Sequence, residues 1–418
     1  MRTAIWLYLF LFVAFFDLHA QYPILTPFAL SLGAAPSFIG LMMGLYSITH
    51  LPGNLIAGFS VDRFGSRLFI VFSLLLAGII LLLQSQVTDP WQLLVLRSIS
   101  GFVLAFLSPA CMALLAKIGR NQLEQGKLMA GNGLVHTLAS VVSPAAGAFL
   151  VAQIGFTMAF YVLGWILIVT ALFALLFIRD NVHNSSASLK SSAAKPEAVT
   201  SNQEMPSSAA SSLEKPSSAA SSLKIPSSAA SKDEQSEQAT PWLIYSLPIA
   251  MACAQGILSF ELPFMAVTAN AMMTTGLLFS VVSLGALITL SMLFLNRYSA
   301  FYRSLWGAVL LAITYFFVAA QAPLPLAVLL LFLGMAKGII FPALTTLLIQ
   351  SSGGKRYGRT FSILSIAFSI GAFLGPMLAG QLRDYISPYF IAFLVLMIAA
   401  LILPFHSTRQ PSANTHFT

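Results

Sequence analysis

The chain has 418 residues, of which 58% are hydrophobic and only 8% are charged. Soluble domains carry about 25% charged residues, so this composition excludes an ordinary soluble protein. The formal net charge is +8, but the basic residues lie in short loops between apolar runs, which is typical of a membrane protein and not of a nucleic-acid-binding surface. Cys111 and Cys253 lie within apolar runs, so neither a disulfide framework nor a metal cluster is predicted.

Twelve apolar runs are long enough to cross a bilayer, which takes about 20 residues of helix. We number them spans 1 to 12. The first six are 4–31, 37–60, 68–87, 91–116, 128–152 and 156–178. The second six are 242–268, 276–295, 304–321, 324–349, 360–382 and 387–405. The start also fits a signal peptide that ends at Ala20, but the apolar run resumes over 24–32, which favours a retained first span.

The segment between the two sets of spans is rich in Ser, Ala and Pro. Its prolines recur every ten residues, at Pro196, Pro206, Pro216 and Pro226. Such a segment buries too little apolar surface to offset its ordering entropy, so we predict a disordered linker. The predicted organisation is an N-terminal six-helix bundle at 1–178, a cytoplasmic linker at 179–240, and a C-terminal six-helix bundle with a short tail at 241–418.

The distribution of Lys and Arg predicts the orientation. With both termini and the linker inside, the inner segments outside the linker carry twelve basic residues: Arg2, Arg63, Arg67, Lys117, Arg120, Lys127, Arg297, Arg303, Lys355, Arg356, Arg359 and Arg409. The outer loops carry only Arg383. Because cytoplasmic loops are enriched in Lys and Arg, we predict cytoplasmic termini.

The loop between spans 2 and 3 holds the most specific motif. It reads Gly-Phe-Ser-Val-Asp-Arg-Phe-Gly-Ser-Arg from residue 58 to residue 67. This loop resembles the G-x-x-x-D-R-x-G-x-R loop of the major facilitator superfamily of transporters. The resemblance implies an all-α membrane protein with twelve transmembrane helices in two six-helix bundles. It also implies that the loop is a conformational latch, whose residues here are Gly58, Asp62, Arg63, Gly65 and Arg67.

Two proline-containing stretches resemble family motifs that allow helices to pack closely. Ser143, Pro144 and Gly147 in span 5 follow the G-P-x-x-G-G pattern of exporters, with Ser143 replacing the first Gly and Ala148 the last. A related stretch in span 11 contains Gly375, Pro376 and Gly380. Small residues let helices approach closely, so plain packing is an alternative to a role specific to export.

Seven titratable side chains fall inside the predicted spans: Asp17, His19, His50, Arg97, His136, Glu261 and Lys337. Charges in a bilayer are costly and usually face a cavity or a transport pathway. At about 1.5 Å of rise per residue, Asp17, His50, His136 and Lys337 lie near the bilayer middle. Both halves of the chain therefore contribute polar groups at the depth where such transporters hold substrate.

Asp17, Arg97 and Glu261 are the candidates for proton coupling. A carboxylate whose exposure and cation contacts differ between two states takes up a proton on one side and releases it on the other. Arg97 through Gly101 resembles the family's R-x-x-x-G motif in helix 4. Two structural alternatives stay open, a fixed ion pair of Asp17 with Arg97 or Lys337 and a purely structural Glu261 near the outer end.

Seven residues are candidates for binding substrate: His19, His50, Asn54, Asn132, His136, Gln255 and Lys337. Imidazoles titrate near neutrality, so the histidines suit an anionic or metal-chelating substrate or a proton relay. Each histidine taken alone is better explained as a hydrogen-bonded packing residue, but three histidines at similar depth together favour a functional role. Because no pair has the spacing of a zinc motif, no bound metal is predicted.

We therefore predict a secondary transporter that exports a small organic molecule by proton antiport. Alternatives are export of a zwitterionic metal chelator and uptake by proton symport. A membrane enzyme or a sensor is the alternative of another class, but no nucleophile, metal or phosphate motif supports it. The expected partners are the substrate, protons and lipid, without nucleic acid or cofactor. The expected state is a monomer in a bacterial plasma membrane.

Deleting residues 190–235 from the linker is expected to leave transport nearly unchanged, because a disordered repeat makes no fixed contact with the spans. Transport by the deleted protein is measured beside the parent at matched membrane levels. Loss of transport despite normal insertion would show that the linker has a direct role.

Overall fold

The computed structural model describes residues 2–118, 122–178, 242–264, 269–351 and 357–403, and within these ranges every regular element is helical. The predicted linker lies outside the described residues. The helices of the first half are Arg2–Ala20, Tyr22–Ser31, Pro36–Phe64, Ser66–Gln84, Pro90–Leu104, Leu107–Ile118 and Gln122–Phe177. Those of the second half are Ser246–Phe264, Ala269–Ser291, Ala300–Ala319, Leu326–Ser351, Tyr357–Leu382 and Pro388–Ile402, with short 3-10 turns at Trp242–Tyr245 and Leu293–Arg297.

These helices form the twelve predicted spans. In the described part of the chain, nine helices are long and apolar enough to cross a membrane. One of them continues through spans 5 and 6, which part at Gly155, where a φ of 77° interrupts the helix. Pro36–Phe64 and Pro388–Ile402 supply spans 2 and 12. The predicted twelve-helix architecture is therefore confirmed.

Spans 1 and 4 are each made of two helices. Span 1 breaks between Ala20 and Tyr22, and Pro23 explains the break because proline has no N–H to continue the helical bonding. Span 4 breaks between Leu104 and Leu107. Broken helices are tolerated at membrane depth where the break is buried in protein, and Gln21 at the first break is almost fully buried.

Span 11 packs tightly between span 2 and span 7. A side chain at Gly375 would overlap the backbone carbonyl of Cys253 in span 7. One at Gly40 of span 2 would overlap the carbonyl of Pro376. Gly380 packs in the same way against the first turn of span 2. These residues are small because backbones touch here, and the contact joins the first half of the chain to the second.

Span 5 makes the other close contact between the halves. A side chain at Gly276 of span 8 would meet the backbone carbonyl of Pro144 and the methyl group of Ala148. On its other face, span 5 packs through Gly147 against Ala20 of span 1. The proline-containing stretch of span 5 is thus held between span 1 and span 8.

The glycines through which the two halves contact each other lie toward one side of the bundle. We call it the closed side, and it contains the connections 32–35 and 383–387. The opposite side, which contains the ends of spans 1 and 12 nearest the chain termini, is called the terminal side. In the described ranges, each glycine that touches the other half lies nearer the closed side than the terminal side.

Replacing Gly40 by Val is expected to separate the halves on the closed side, since overpacking costs about 1–3 kcal/mol and the atom it meets is backbone. Spin labels at Ser37 and Asp384 report the distance by pulsed electron resonance, because both positions are exposed on that side. The variant should show a larger population at long distance. Gly133→Val is the matched control, because a side chain there meets no atom within 4 Å. A parental distance distribution in Gly40→Val would refute a packing role.

Candidate functional site

Asp17, Gln21 and Arg97 form a buried hydrogen-bonded chain. Their exposed fractions are 3%, 3% and 6%. The Gln21 amide donates through Nε2 to Asp17 Oδ1 over 2.8 Å, and Arg97 donates through Nη1 to Gln21 Oε1 over 2.5 Å. The direct ion pair considered from the sequence is not formed, because the glutamine stands between the two charges. We call these three residues the acid–amide–arginine chain.

Tyr46 covers the arginine from span 2. The Arg97 guanidinium carbon lies 4.5 Å from the centre of the Tyr46 ring, a cation–π distance. Span 4 comes this close because Gly101 leaves no side chain against the backbone of Tyr46. Neither Gln21 nor Tyr46 was singled out from the sequence. The usable signal for Gln21 was its position one helical turn after Asp17, since side chains four residues apart share a helix face.

A second polar group joins spans 1, 5, 7 and 10. His19 donates through Nδ1 to the Phe15 carbonyl over 2.7 Å, and its ring centre lies 5.2 Å from that of His136. Lys337 donates to Gln255 Oε1 and lies within electrostatic range of both histidines. We call His19, His136, Gln255 and Lys337 the histidine–lysine cluster. It brings together two residues from each half.

Tyr22 connects the two polar groups. Its ring centre lies 5.4 Å from that of His19 and 6.0 Å from that of Phe279 in span 8. Tyr22 is also within electrostatic range of Arg97. Because Asp17, His19, Gln21 and Tyr22 all lie at the break of span 1, a movement of this span displaces both groups together.

The structure places four other candidate residues apart from these groups. His50 and Asn54 hydrogen-bond to each other over 2.9 Å on span 2, one turn beyond Tyr46. Glu261 forms an ion pair with Arg383 at 3.1 Å on the closed side. Asn132 lies on span 5, partly buried, and its Oδ1 has no hydrogen-bond partner among the described residues.

The latch residues lie between spans 2 and 3, and the side chain of Asp62 is outside the described part of the structure. Gly65 separates the two helices with a φ of 90°, a conformation that favours glycine. Arg67 donates to the Leu175 carbonyl over 2.6 Å and so ties span 3 to span 6. Arg63 is exposed, beside the ring of Phe64.

One cavity is lined by none of the residues of either polar group. It measures about 150 Å³ and lies between spans 8, 9 and 10, lined in part by Thr289, Arg303 and Gly338. In the histidine–lysine cluster, His136 is exposed and Lys337 is partly exposed, although both lie well inside their spans. In the described ranges, no three His, Cys, Asp or Glu side chains stand close enough to hold a metal ion.

A family model described as Major Facilitator Superfamily matches residues 7–305 and 303–417 of the chain. Multidrug resistance protein MdtG of Klebsiella pneumoniae is 26% identical over 99% of this chain and 94% of its own length. An uncharacterized MFS-type transporter of Methanocaldococcus jannaschii is 27% identical over 39% of this chain and 42% of its own length. That second match spans less than half of either protein.

Solved structures share the fold at low identity. A bacterial homologue of the human lysosomal transporter Spinster, in an inward-facing and occupied conformation, gives a TM-score of 0.71 at 15% identity, covering 98% of this chain and 97% of that one. A D-xylose–proton symporter gives 0.66 at 14% identity, covering 96% of both chains. Identities this low establish the fold alone.

Gln21→Met and Arg97→Met are expected to destabilise the protein less together than the sum of their separate effects. Each single change removes one partner of a buried hydrogen bond, which costs about 1–3 kcal/mol, while the double change removes both. The shift in melting temperature of purified protein measures this coupling. Gln21→Met with Asn54→Ala is the control pair, because Asn54 bonds to His50 instead. If the shifts in melting temperature are additive in the test pair as they are in the control pair, the hydrogen bond between Gln21 and Arg97 is contradicted.

Proposed function

Because this chain belongs to the Major Facilitator Superfamily, we propose that it exports a small organic molecule across the plasma membrane by proton antiport. Membrane transport follows from the family match, which covers nearly the whole chain. Export is supported by the full-length similarity to a protein named for multidrug resistance. The resemblance of Ser143, Pro144 and Gly147 to the exporter motif agrees with this direction.

The proposed orientation places the terminal side in the cytoplasm. Twelve basic residues fall in the segments assigned to that side, which is the pattern expected of cytoplasmic loops. The closed side then faces outward, and the contacts of Gly40 and Gly276 seal the protein against the outside. An exporter in this state loads substrate from the cytoplasm. In alternating access the two bundles then rock about the central cavity, and the loop containing Asp62 latches the other state.

The acid–amide–arginine chain is the single observation that carries proton coupling. Asp17 is 3% exposed and lies in the first membrane span. A carboxylate there must be protonated or compensated by a cation. Arg97 compensates it only indirectly, because the neutral Gln21 amide lies between the two charges and hydrogen-bonds to both. A state that lengthens this chain favours the protonated acid, and a state that tightens it releases the proton, which is the difference that coupling requires.

Uptake by proton symport is the second candidate. The same buried acid serves either direction, and a D-xylose–proton symporter shares the fold. Glu261 remains the alternative proton carrier, although its ion pair with Arg383 already compensates its charge. Export of a metal chelator rests only on the mixture of His, Asp and Lys side chains. The direction of proton movement on adding substrate separates antiport from symport.

Asp17→Asn is expected to abolish proton release driven by substrate while substrate still binds, because the amide keeps the size of the acid but takes up no proton. Inverted membrane vesicles with an acidic interior are challenged with a compound panel, and a pH-sensitive dye reports proton efflux. Binding is measured on the purified variant in parallel.

Asp89→Asn is the matched control. It makes the same chemical change at the exposed cap of span 4, where Asp89 accepts a bond from the Trp91 N–H. Control vesicles should release protons as the parent does. If Asp17→Asn also moves protons at the parental rate, Asp17 is not the carrier and Glu261 is the next residue to change.

A further inference from the structure

Lys337 presents an uncompensated cation between the two halves of the protein. Its described partner is Gln255, whose amide oxygen accepts a hydrogen bond but carries no charge. In the described part of the chain, no carboxylate lies within ion-pair distance of Lys337. A charged side chain at membrane depth is costly unless a partner or water compensates it. An anionic ligand would supply the compensating charge that the described residues do not give Lys337.

The surroundings of Lys337 supply hydrogen-bond donors. The rings of His19 and His136 contact each other within electrostatic range of the lysine, and a neutral imidazole carries one ring N–H that donates to an anion. The acid of span 1, Asp17, is buried and held by Gln21. Arg97 stands behind that glutamine, so its positive charge offsets the acid. A cationic molecule would therefore meet repulsion here without an available carboxylate.

Aromatic rings provide the rest of the site. Phe15 lies with its ring centre 4.7 Å from that of His136, and Tyr22 lies beside His19. Phe279 extends this surface to span 8. His136 itself is exposed beside these rings. Aromatic walls beside a lysine suit a molecule that carries both a ring and an acidic group.

We propose that the histidine–lysine cluster binds the anionic group of the transported molecule, a carboxylate, phosphonate or sulfonate, and that the aromatic rings hold its apolar part. Lys337 and Gln255 contact the anion from the second half, and His136 contacts it from the first. The substrates are thus organic anions in preference to organic cations. This inference adds a substrate class to the proposed export function. That the bound anions are transported rests on the proposed function, whereas their binding at the cluster does not.

The test compares three probes that share the naphthyl ring and carry an anionic, a neutral or a cationic head group: 2-naphthylacetate, 2-naphthylacetamide and 2-(2-naphthyl)ethylammonium. Calorimetry measures their binding to the purified full-length protein at neutral pH without a proton gradient. Because only the acetate forms an ion pair with Lys337, it should bind at least about tenfold more tightly than either other probe. Equal or tighter binding of the ammonium, or failure of the acetate to bind at millimolar concentration, overturns the proposal.

Two variants test whether Lys337 causes the preference for the acetate. Lys337→Met should bind all three probes with similar affinity, and Lys337→Arg should keep the preference for the acetate. Lys117→Met, which removes an exposed cation at the end of span 4, is the matched control and should behave as the parent. A preference that survives in folded Lys337→Met refutes the site. If Lys337→Met does not fold, the binding of the three probes to the parent and to Lys337→Arg still tests the proposed preference for anions.

Inorganic phosphate is a fourth probe, because it carries the charge without the ring. Binding as tight as that of naphthylacetate would refute the aromatic half of the site. The readout is equilibrium binding, so a failure of proton antiport leaves these results standing. Conversely, gradient-driven export of organic cations would preserve the proposed function and remove only this inference.

Discussion

The scarcity of water in the bilayer core is the constraint on which the functional groups of this protein depend. Every buried charge must be compensated by another protein group, by a proton or by a ligand. Arg97 meets this demand through Gln21 and the ring of Tyr46, and Glu261 meets it through Arg383. Lys337 meets it only with a neutral amide. These different degrees of compensation separate structural charges from charges that are available to a proton or a substrate.

Span 1 contributes residues to both polar groups of the site. Its break near Pro23 places Asp17 and Gln21 toward Arg97 and places His19 toward His136. Tyr22 touches the rings on the substrate side and is within electrostatic range of the arginine. A ligand that moves His19 or Tyr22 therefore acts on the same helix turn that holds the acid. In the proposed mechanism, this shared turn is the physical route by which binding of substrate would bias the protonation of Asp17.

The close contacts between the halves show how the same chain allows movement. Glycine and proline place backbone against backbone in spans 2, 5, 8 and 11, toward the closed side. Contacts of this kind are held by van der Waals packing and lack the long interlocking side chains of a soluble core. In the proposed alternating access, contacts of this kind would let the halves separate without the exchange of many side chains.

The sequence by itself determined the membrane class, the number of spans and the family. These follow from apolar runs of bilayer length and from a loop motif, which are local properties of the chain. It also predicted which titratable residues lie inside the spans. It did not predict the roles of Gln21 and Tyr46, because a neutral amide or a phenol in an apolar run gives no signal until its neighbours are known. Only the tertiary structure decided that Asp17 reaches Arg97 through an amide, that Glu261 pairs with Arg383 and that Lys337 lacks a carboxylate partner. The physical reason is that charge compensation depends on distances of a few ångströms between residues up to 122 positions apart in the chain, and these distances are set by how the helices pack.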